Sequence, residues 1–189
     1  MTTIKEVDIG MMDKPTIIYD KLTVVLRLLF LLSLALLMLP APGSAMTMVK
    51  EGAPAPTFVM IDENNKEVDI GTLMDKPTII YFTHNACHYC TQIIALLKRA
   101  ETKFGRKNLR IIGINIAAKN GELVKAYKKE LGFVFPMFAG NRQDVLAAYK
   151  INYVPVLVFV DANKVVSKIV GHYIHEKELH DYIRSLTNK

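Results

Sequence analysis

From position 57 onward, short apolar runs alternate with amphipathic stretches, and polar turn residues punctuate them. Residues 57–61 read as a strand, Asp62-Glu63-Asn64-Asn65 as a turn, and residues 66–69 as the hairpin partner. The run Thr78-Ile79-Ile80-Tyr81-Phe82 is β-branched or aromatic throughout, which suits a central strand buried on both faces. Residues 87–104 follow helical spacing. Cys90, Ile93, Ile94, Leu97 and Phe104 share one face, while Gln92, Lys98, Arg99 and Lys103 reach water. Gly105 is the expected stop.

Further along, residues 109–116 read as a second buried strand and 122–131 as a helix ending at Gly132. Residues 133–138 are extended around Pro136, and 142–149 form a short helix. A second hairpin joins residues 156–160 to 165–170 through the turn Asp161-Ala162-Asn163-Lys164. The last helix carries Leu179, Tyr182, Ile183 and Leu186 on one face, with His180 expected in solvent. Strands alternating with helices, then a hairpin and a final helix, predict an α/β fold: a central mixed sheet flanked by helices.

The N-terminal part follows a different pattern. Residues 22–39 are almost wholly apolar, interrupted by Arg27, and residues 28–39 hold only Ser33 as a polar residue. That shorter stretch suits the core of a secretory signal and falls short of a full membrane span. Lys21 and Arg27 supply the positive flank, Pro40-Ala41-Pro42 breaks the helix, and Gly43-Ser44-Ala45 offers small residues for cleavage. Residues 22–45 are therefore read as a signal peptide cut after Ala45, the alternative being an uncleaved anchor over residues 22–39. Either way the globular part, residues 46–189, is expected outside the cytoplasm, in the periplasm or an equivalent compartment.

Residues 1–21 contain a copied fragment. Lys5-Glu6-Val7-Asp8-Ile9-Gly10 reappears as Lys66-Glu67-Val68-Asp69-Ile70-Gly71, and residues 12–19 reappear as 74–81. A packing repeat would recur as a whole unit, several times over. An isolated strand fragment has no sheet to join, so disorder is expected there. A misplaced start site, a recombination scar or a cloning artefact would each account for it.

Composition narrows the chemistry. The net charge is +6, and residues 1–45 hold equal numbers of acidic and basic side chains, so the excess belongs to residues 46–189. Its lysines are scattered, and neither a dense basic block nor a zinc-ligand array points to nucleic acid. The chain has two cysteines, Cys87 and Cys90, too few for a disulfide scaffold or a four-ligand zinc site. What remains is a paired redox or metal-binding site.

Cys87-His88-Tyr89-Cys90 falls where a buried strand gives way to a helix. Unpaired amides and the helix dipole favour negative charge at such a point. They can lower a thiol pKa from about 8.5 to roughly 3.5–7.5. Cys87 is then the nucleophile, and Cys90, one turn on and more buried, the resolving thiol. A protonated His88 would stabilise the Cys87 thiolate, and Tyr89 would cover the sulfurs or join a docking surface. These two are the candidate redox-tuning residues. The pair itself is a redox-active disulfide and needs no other cofactor; no resident metal is expected.

The residues of the mature part resemble thioredoxin-like proteins of the TlpA/ResA group, within the thioredoxin and peroxiredoxin superfamily. The carrying segments are Gly52-Ala53-Pro54-Ala55-Pro56-Thr57-Phe58, residues 75–82, the cysteine motif, residues 142–149, Tyr153-Val154-Pro155 and Gly171. The resemblance implies a thioredoxin fold with an N-terminal β-hairpin extension and an inserted helical segment. It also implies a cis peptide at Val154-Pro155 facing the cysteines, with Val154 offering backbone groups to a substrate and Pro155 offering no amide hydrogen. Proteins of this group reduce disulfides outside the cytoplasm. Their clients are disulfide-bearing proteins such as apocytochromes c, their electrons come from a membrane thiol transporter, and a monomer is expected.

Four positions depart from the group. Ala86 stands where thioredoxins carry Trp, Ile93 where ResA-like proteins often carry Glu, and His88-Tyr89 is an uncommon dipeptide. Two other activities use the same residues: a disulfide oxidase or isomerase, and a copper-binding or delivery module built on His84, Cys87, His88 and Cys90. His172 and His175 would join the latter only if their loop reaches the motif. Covalent haem attachment is excluded by Thr91, where histidine would be needed. Thr83-His84-Asn85-Ala86 is not a peroxiredoxin-type loop.

Overall fold

The computed structural model describes residues 48–188, together with 24, 26, 27 and 29–31. The chain divides into two compact units, residues 1–44 and 45–189. In the first, the described residues are helical and exposed. Among the described residues no helix is long and apolar enough to cross a membrane. The copied fragment, residues 1–21, and the cleavage site after Ala45 lie outside the described residues.

The second unit is built on a seven-stranded mixed sheet. Its strands are β1 (Val59–Asp62), β2 (Glu67–Asp69), β3 (Thr78–Thr83), β4 (Arg110–Asn115), β5 (Met137–Ala139), β6 (Val156–Val160) and β7 (Val166–Val170). Their order across the sheet is β2-β1-β5-β4-β3-β6-β7. The β3/β4 and β4/β5 pairs are parallel, and β3 meets β6 antiparallel. Four helices complete the unit: α1 (His88–Phe104), α2 (Gly121–Leu131), α3 (Gln143–Ala148) and α4 (Glu176–Thr187).

β3 lies between β4 and β6, and all six of its residues are buried. Its alternation splits the core in two. Ile79 and Tyr81 face the cluster formed with α1, α2 and α4. Ile80 and Phe82 face the other cluster, with Val145 of α3, Tyr149 and the N-terminal lead-in. Burying an aliphatic or aromatic side chain contributes about 1.5–3 kcal/mol. A strand filled on both faces is therefore firmly held, and the reactive loop leaves from its end. α2 stops at Gly132, whose φ of 59° suits the left-handed cap and whose amide donates to the Lys128 carbonyl.

The expected elements are present, most with bounds shifted by a residue or two; of the extended stretch 133–138 only Met137 and Phe138 join a strand, β5. One element was not foreseen: a 3₁₀ turn, Ile70–Leu73, in which the Asp69 carboxylate accepts from the Gly71 amide. His180 also differs from expectation. It is 7 % exposed, not solvated, because Lys103 and Phe104 of α1 pack over it.

Candidate active site

β3 ends at Thr83, and four residues carry the chain to α1. Two local bonds shape that loop: the Cys87 amide donates to the His84 carbonyl (3.2 Å), and the Ala86 amide to His84 Nδ1 (2.9 Å). A third bond comes from the neighbouring strand. Asn115, fully buried at the end of β4, donates through Nδ2 to Asn85 Oδ1 at 2.6 Å. The same Asn115 side chain accepts from the Ala117 amide at 3.0 Å, which fixes which end of its amide faces Asn85.

Cys87 is the N-cap of α1, and its sulfur accepts from the Cys90 amide at 3.1 Å. A sulfur at a helix N-terminus with an amide aimed at it is placed to be stabilised as a thiolate. The two cysteines are joined as a disulfide with Cα atoms 5.1 Å apart. Cys87 is half-buried and Cys90 fully buried, so one sulfur can be reached from solvent and the other cannot.

Across from the motif, the Val154–Pro155 peptide is cis. Cys87 Sγ lies 4.0 Å from the Val154 carbonyl oxygen. Val154 precedes β6, outside the strand ladder, so its backbone is available to an incoming extended chain.

His88 and Tyr89 are both exposed. The His88 ring nitrogen Nε2 sits 3.0 Å from Gln92 Nε2, one turn along the helix. The Tyr89 ring meets His88 on one side and Tyr173 on the other, each at 5.9 Å between centroids. Two histidines of the alternative copper-binding set make local contacts through Nδ1. His84 Nδ1 is taken by the Ala86 amide, and His172 Nδ1 lies 2.8 Å from the Tyr173 carbonyl. Among the described residues no group of three or more His, Cys, Asp or Glu side chains is placed to hold a metal ion.

Two residues behind the disulfide escaped the sequence reading. Tyr81 donates from its buried hydroxyl to the Cys90 carbonyl at 2.9 Å. Burial pushes its phenol pKa well up, so it stays a neutral donor. Asn115 is the other. The signal for both is a polar atom inside a strand otherwise filled with hydrocarbon, which must find a partner when buried. Thr83 and Tyr127 satisfy each other in the same way, hydroxyl to hydroxyl at 2.9 Å.

The chain is similar to known proteins in sequence and in fold. The thiol-disulfide oxidoreductase ResA of Bacillus subtilis is 25 % identical over 135 residues, covering 71 % of this chain and 75 % of that protein. ResA of Bacillus anthracis is 26 % identical over 137 residues, covering 72 % and 78 %. A thioredoxin-family thiol:disulfide interchange protein of Chlorobium tepidum superposes with a TM-score of 0.62 at 18 % identity, over 74 % of this chain and 99 % of that one. The thioredoxin domain of a Bacteroides vulgatus thiol-disulfide oxidoreductase gives a TM-score of 0.63 at 20 % identity, over 72 % and 92 %. The fold is thus the thioredoxin fold. The AhpC/TSA family model matches residues 52–169, more than half of the chain and all of the site's loops up to β7. With Cys87 and Cys90 paired at the head of α1, this chain is a thioredoxin-like thiol-disulfide oxidoreductase and belongs to the AhpC/TSA family.

Proposed function

We propose that this protein reduces protein disulfides outside the cytoplasm, with apocytochromes c among its clients and a membrane thiol transporter as its source of electrons. The observation that carries the reading is the asymmetry of the sulfur pair. Cys87 is half-exposed, capped by an amide and 4.0 Å from the Val154 carbonyl, while Cys90 is sealed beneath it. The likeness to ResA proteins and the apolar run over residues 22–39 support the direction and the compartment.

In the reduced protein, the Cys87 thiolate attacks a client disulfide. The client S–S bond breaks, a Cys87–client disulfide forms, and the first client sulfur leaves as a thiolate that takes a proton from water. Cys90, deprotonated, then attacks Cys87 Sγ. The second client sulfur leaves, the Cys87–Cys90 bond forms, and two electrons have passed to the client. The transporter returns those electrons. No cofactor beyond the disulfide takes part. Val154 pairs with the client backbone, Pro155 presents no competing amide, and His88 and Tyr89 set the potential. The protein acts as a monomer.

The test is a glutathione-equilibrated redox titration of the full chain, followed by trapping of partners with Cys90→Ser. A reducing potential and a trapped apocytochrome are expected. A potential at the oxidising end would reverse the direction, and undiminished exchange in Cys87→Ser would refute the mechanism.

A further inference from the structure

Three segments meet around the cysteine motif: residues 84–92 carry it, the Val154 carbonyl of 151–155 lies 4.0 Å from Cys87 Sγ, and Tyr173 of 171–175 packs on Tyr89. The chain is 22 % Asp, Glu, Lys and Arg, yet these three segments contain none. They do contain four of its five histidines and three tyrosines, Tyr89, Tyr153 and Tyr173. Tyr89 is 58 % exposed and Tyr153 59 % exposed. Large aromatic rings left in water beside a reacting group mark a recognition surface.

The rings form a continuous row. His88 meets Tyr89 edge-on at 5.9 Å, Tyr89 meets Tyr173 at 5.9 Å, and Tyr173 meets His175 edge-on at 5.2 Å. All three spacings lie within the range of favourable ring pairs. Tyr173 is the fixed member, half-buried and packed against the core that holds α1 and α4. Close by, the Tyr153 hydroxyl lies over Gly171, where a Cβ would collide with it. The row therefore runs from the dipeptide between the cysteines to the start of α4, held from below and open above.

We propose that the row His88–Tyr89–Tyr173–His175 selects clients, taking segments that carry an uncharged aromatic side chain beside the reacting cysteine. The occupant is a client chain and not a second copy of the protein, because the same patch holds Cys87 Sγ and the free backbone of Val154. A segment that delivers its sulfur to Cys87 and pairs with Val154 passes over these rings. An aromatic side chain on it extends the row. A charged one meets no acidic or basic side chain within the three segments, and Glu176 at the end of the row is already paired with Arg99, so it loses water for little return. This inference rests on Cys87 being the attacking sulfur.

Two disulfide-linked peptides that differ only in Phe or Ser next to the cysteine provide the test, with dithiothreitol re-reducing the full-length protein. The wild type is expected to reduce the Phe peptide about threefold to tenfold faster in kcat/KM, the range one ring contact confers. Tyr173→Ala should bring that ratio close to one, Tyr173→Phe should keep it, and exposed Tyr89→Ala should lower it without risk to folding. Because each ratio is taken within one protein, changes in intrinsic thiol reactivity cancel. Equal turnover of both peptides by the wild type would overturn the ring row, as would a preference that survives both alanine variants. Concentration-dependent dimerisation of the wild type, abolished by Tyr173→Ala, would also overturn it, by assigning the row to a second copy. A wild type inert toward both peptides would instead refute the role of Cys87.

Discussion

Asn115 Nδ2 donates to Asn85 Oδ1 across 2.6 Å, tying the end of β4 to the loop that delivers Cys87. The two strands lie side by side with Thr83 opposite Asn115, so the bond bridges the point where both chains leave the sheet. Replacing Asn115 with Leu removes the partner of the partly buried Ala117 amide and of Asn85 Oδ1, which water can reach. Loss of a buried partner costs about 1–3 kcal/mol. We expect Asn115→Leu to lower the urea midpoint accordingly and to change the alkylation rate of reduced Cys87. Asn85→Ala should do less, and the double variant should fall short of the sum, with a coupling of about 1 kcal/mol. Additive losses, with Cys87 reactivity unmoved, would reduce Asn115 to an ordinary core residue.

The Tyr81 hydroxyl reaches a backbone atom of Cys90 and not its sulfur. A bond to a helix carbonyl acts alike on the dithiol and the disulfide. Tyr81→Phe is therefore expected to destabilise both redox forms by about 1 kcal/mol, the usual worth of one internal hydrogen bond. The reduction potential should stay where it is, within about 10 mV, since 30 mV corresponds to 1.4 kcal/mol. Urea unfolding of both forms and one glutathione titration decide it. A potential that moves by tens of millivolts would mean that Tyr81 acts on the sulfur chemistry itself.

Much of this was legible in the sequence, and the reason differs from element to element. β3 is readable because it is apolar on both faces, and α1 because its apolar residues repeat at helical spacing and Gly105 ends it. Cys87 and Cys90 are readable because their spacing sets both sulfurs on one turn. The 3₁₀ turn at Ile70–Leu73 is not, since the Ile70 amide is tied to the Phe58 carbonyl, a contact across the hairpin. His180 was misplaced for a similar reason: its own helix leaves it next to Leu179, and only α1, folded against α4, covers it. The Tyr89–Tyr173 contact joins segments far apart in the chain, and no periodicity announces it.

His180 also makes stability depend on pH. Burial, followed by the Lys103 ammonium 3.2 Å from its Nδ1, holds its pKa below the ordinary histidine value. Arg184 pushes the same way, while Glu176 and Asp181 oppose it. The unfolded chain binds this proton more readily than the folded one, so stability rises with pH through the histidine range. The contribution is present above about pH 6.5 and is lost as pH falls below it. The carboxylates held down by cations, Asp75 by Arg110 and Asp181 by Lys177, act lower, as pH falls through the acid range. We expect the urea midpoint to drop between pH 7.5 and pH 5.5, and His180→Phe to flatten that drop while filling the space beside Phe104. A slope unchanged by the substitution would assign the dependence to other groups.

His88 is the testable half of the motif dipeptide. Its ring turns along the helix to Gln92, yet it sits directly after the N-cap sulfur. A cationic side chain at this position would stabilise the Cys87 thiolate, and with it the reduced form, raising the potential. Removing it should therefore make the protein more reducing. A one-unit change in thiol pKa is worth about 1.4 kcal/mol, or about 30 mV for the two-electron couple. His88→Ala is expected to lower the potential by up to about that amount. Swapping His88-Tyr89 for Gly-Pro should shift it as well, and should remove one end of the ring row along with the charge. Glutathione titrations of the wild type, His88→Ala and the Gly-Pro variant separate these effects. Identical potentials in all three proteins would show that the dipeptide serves docking alone.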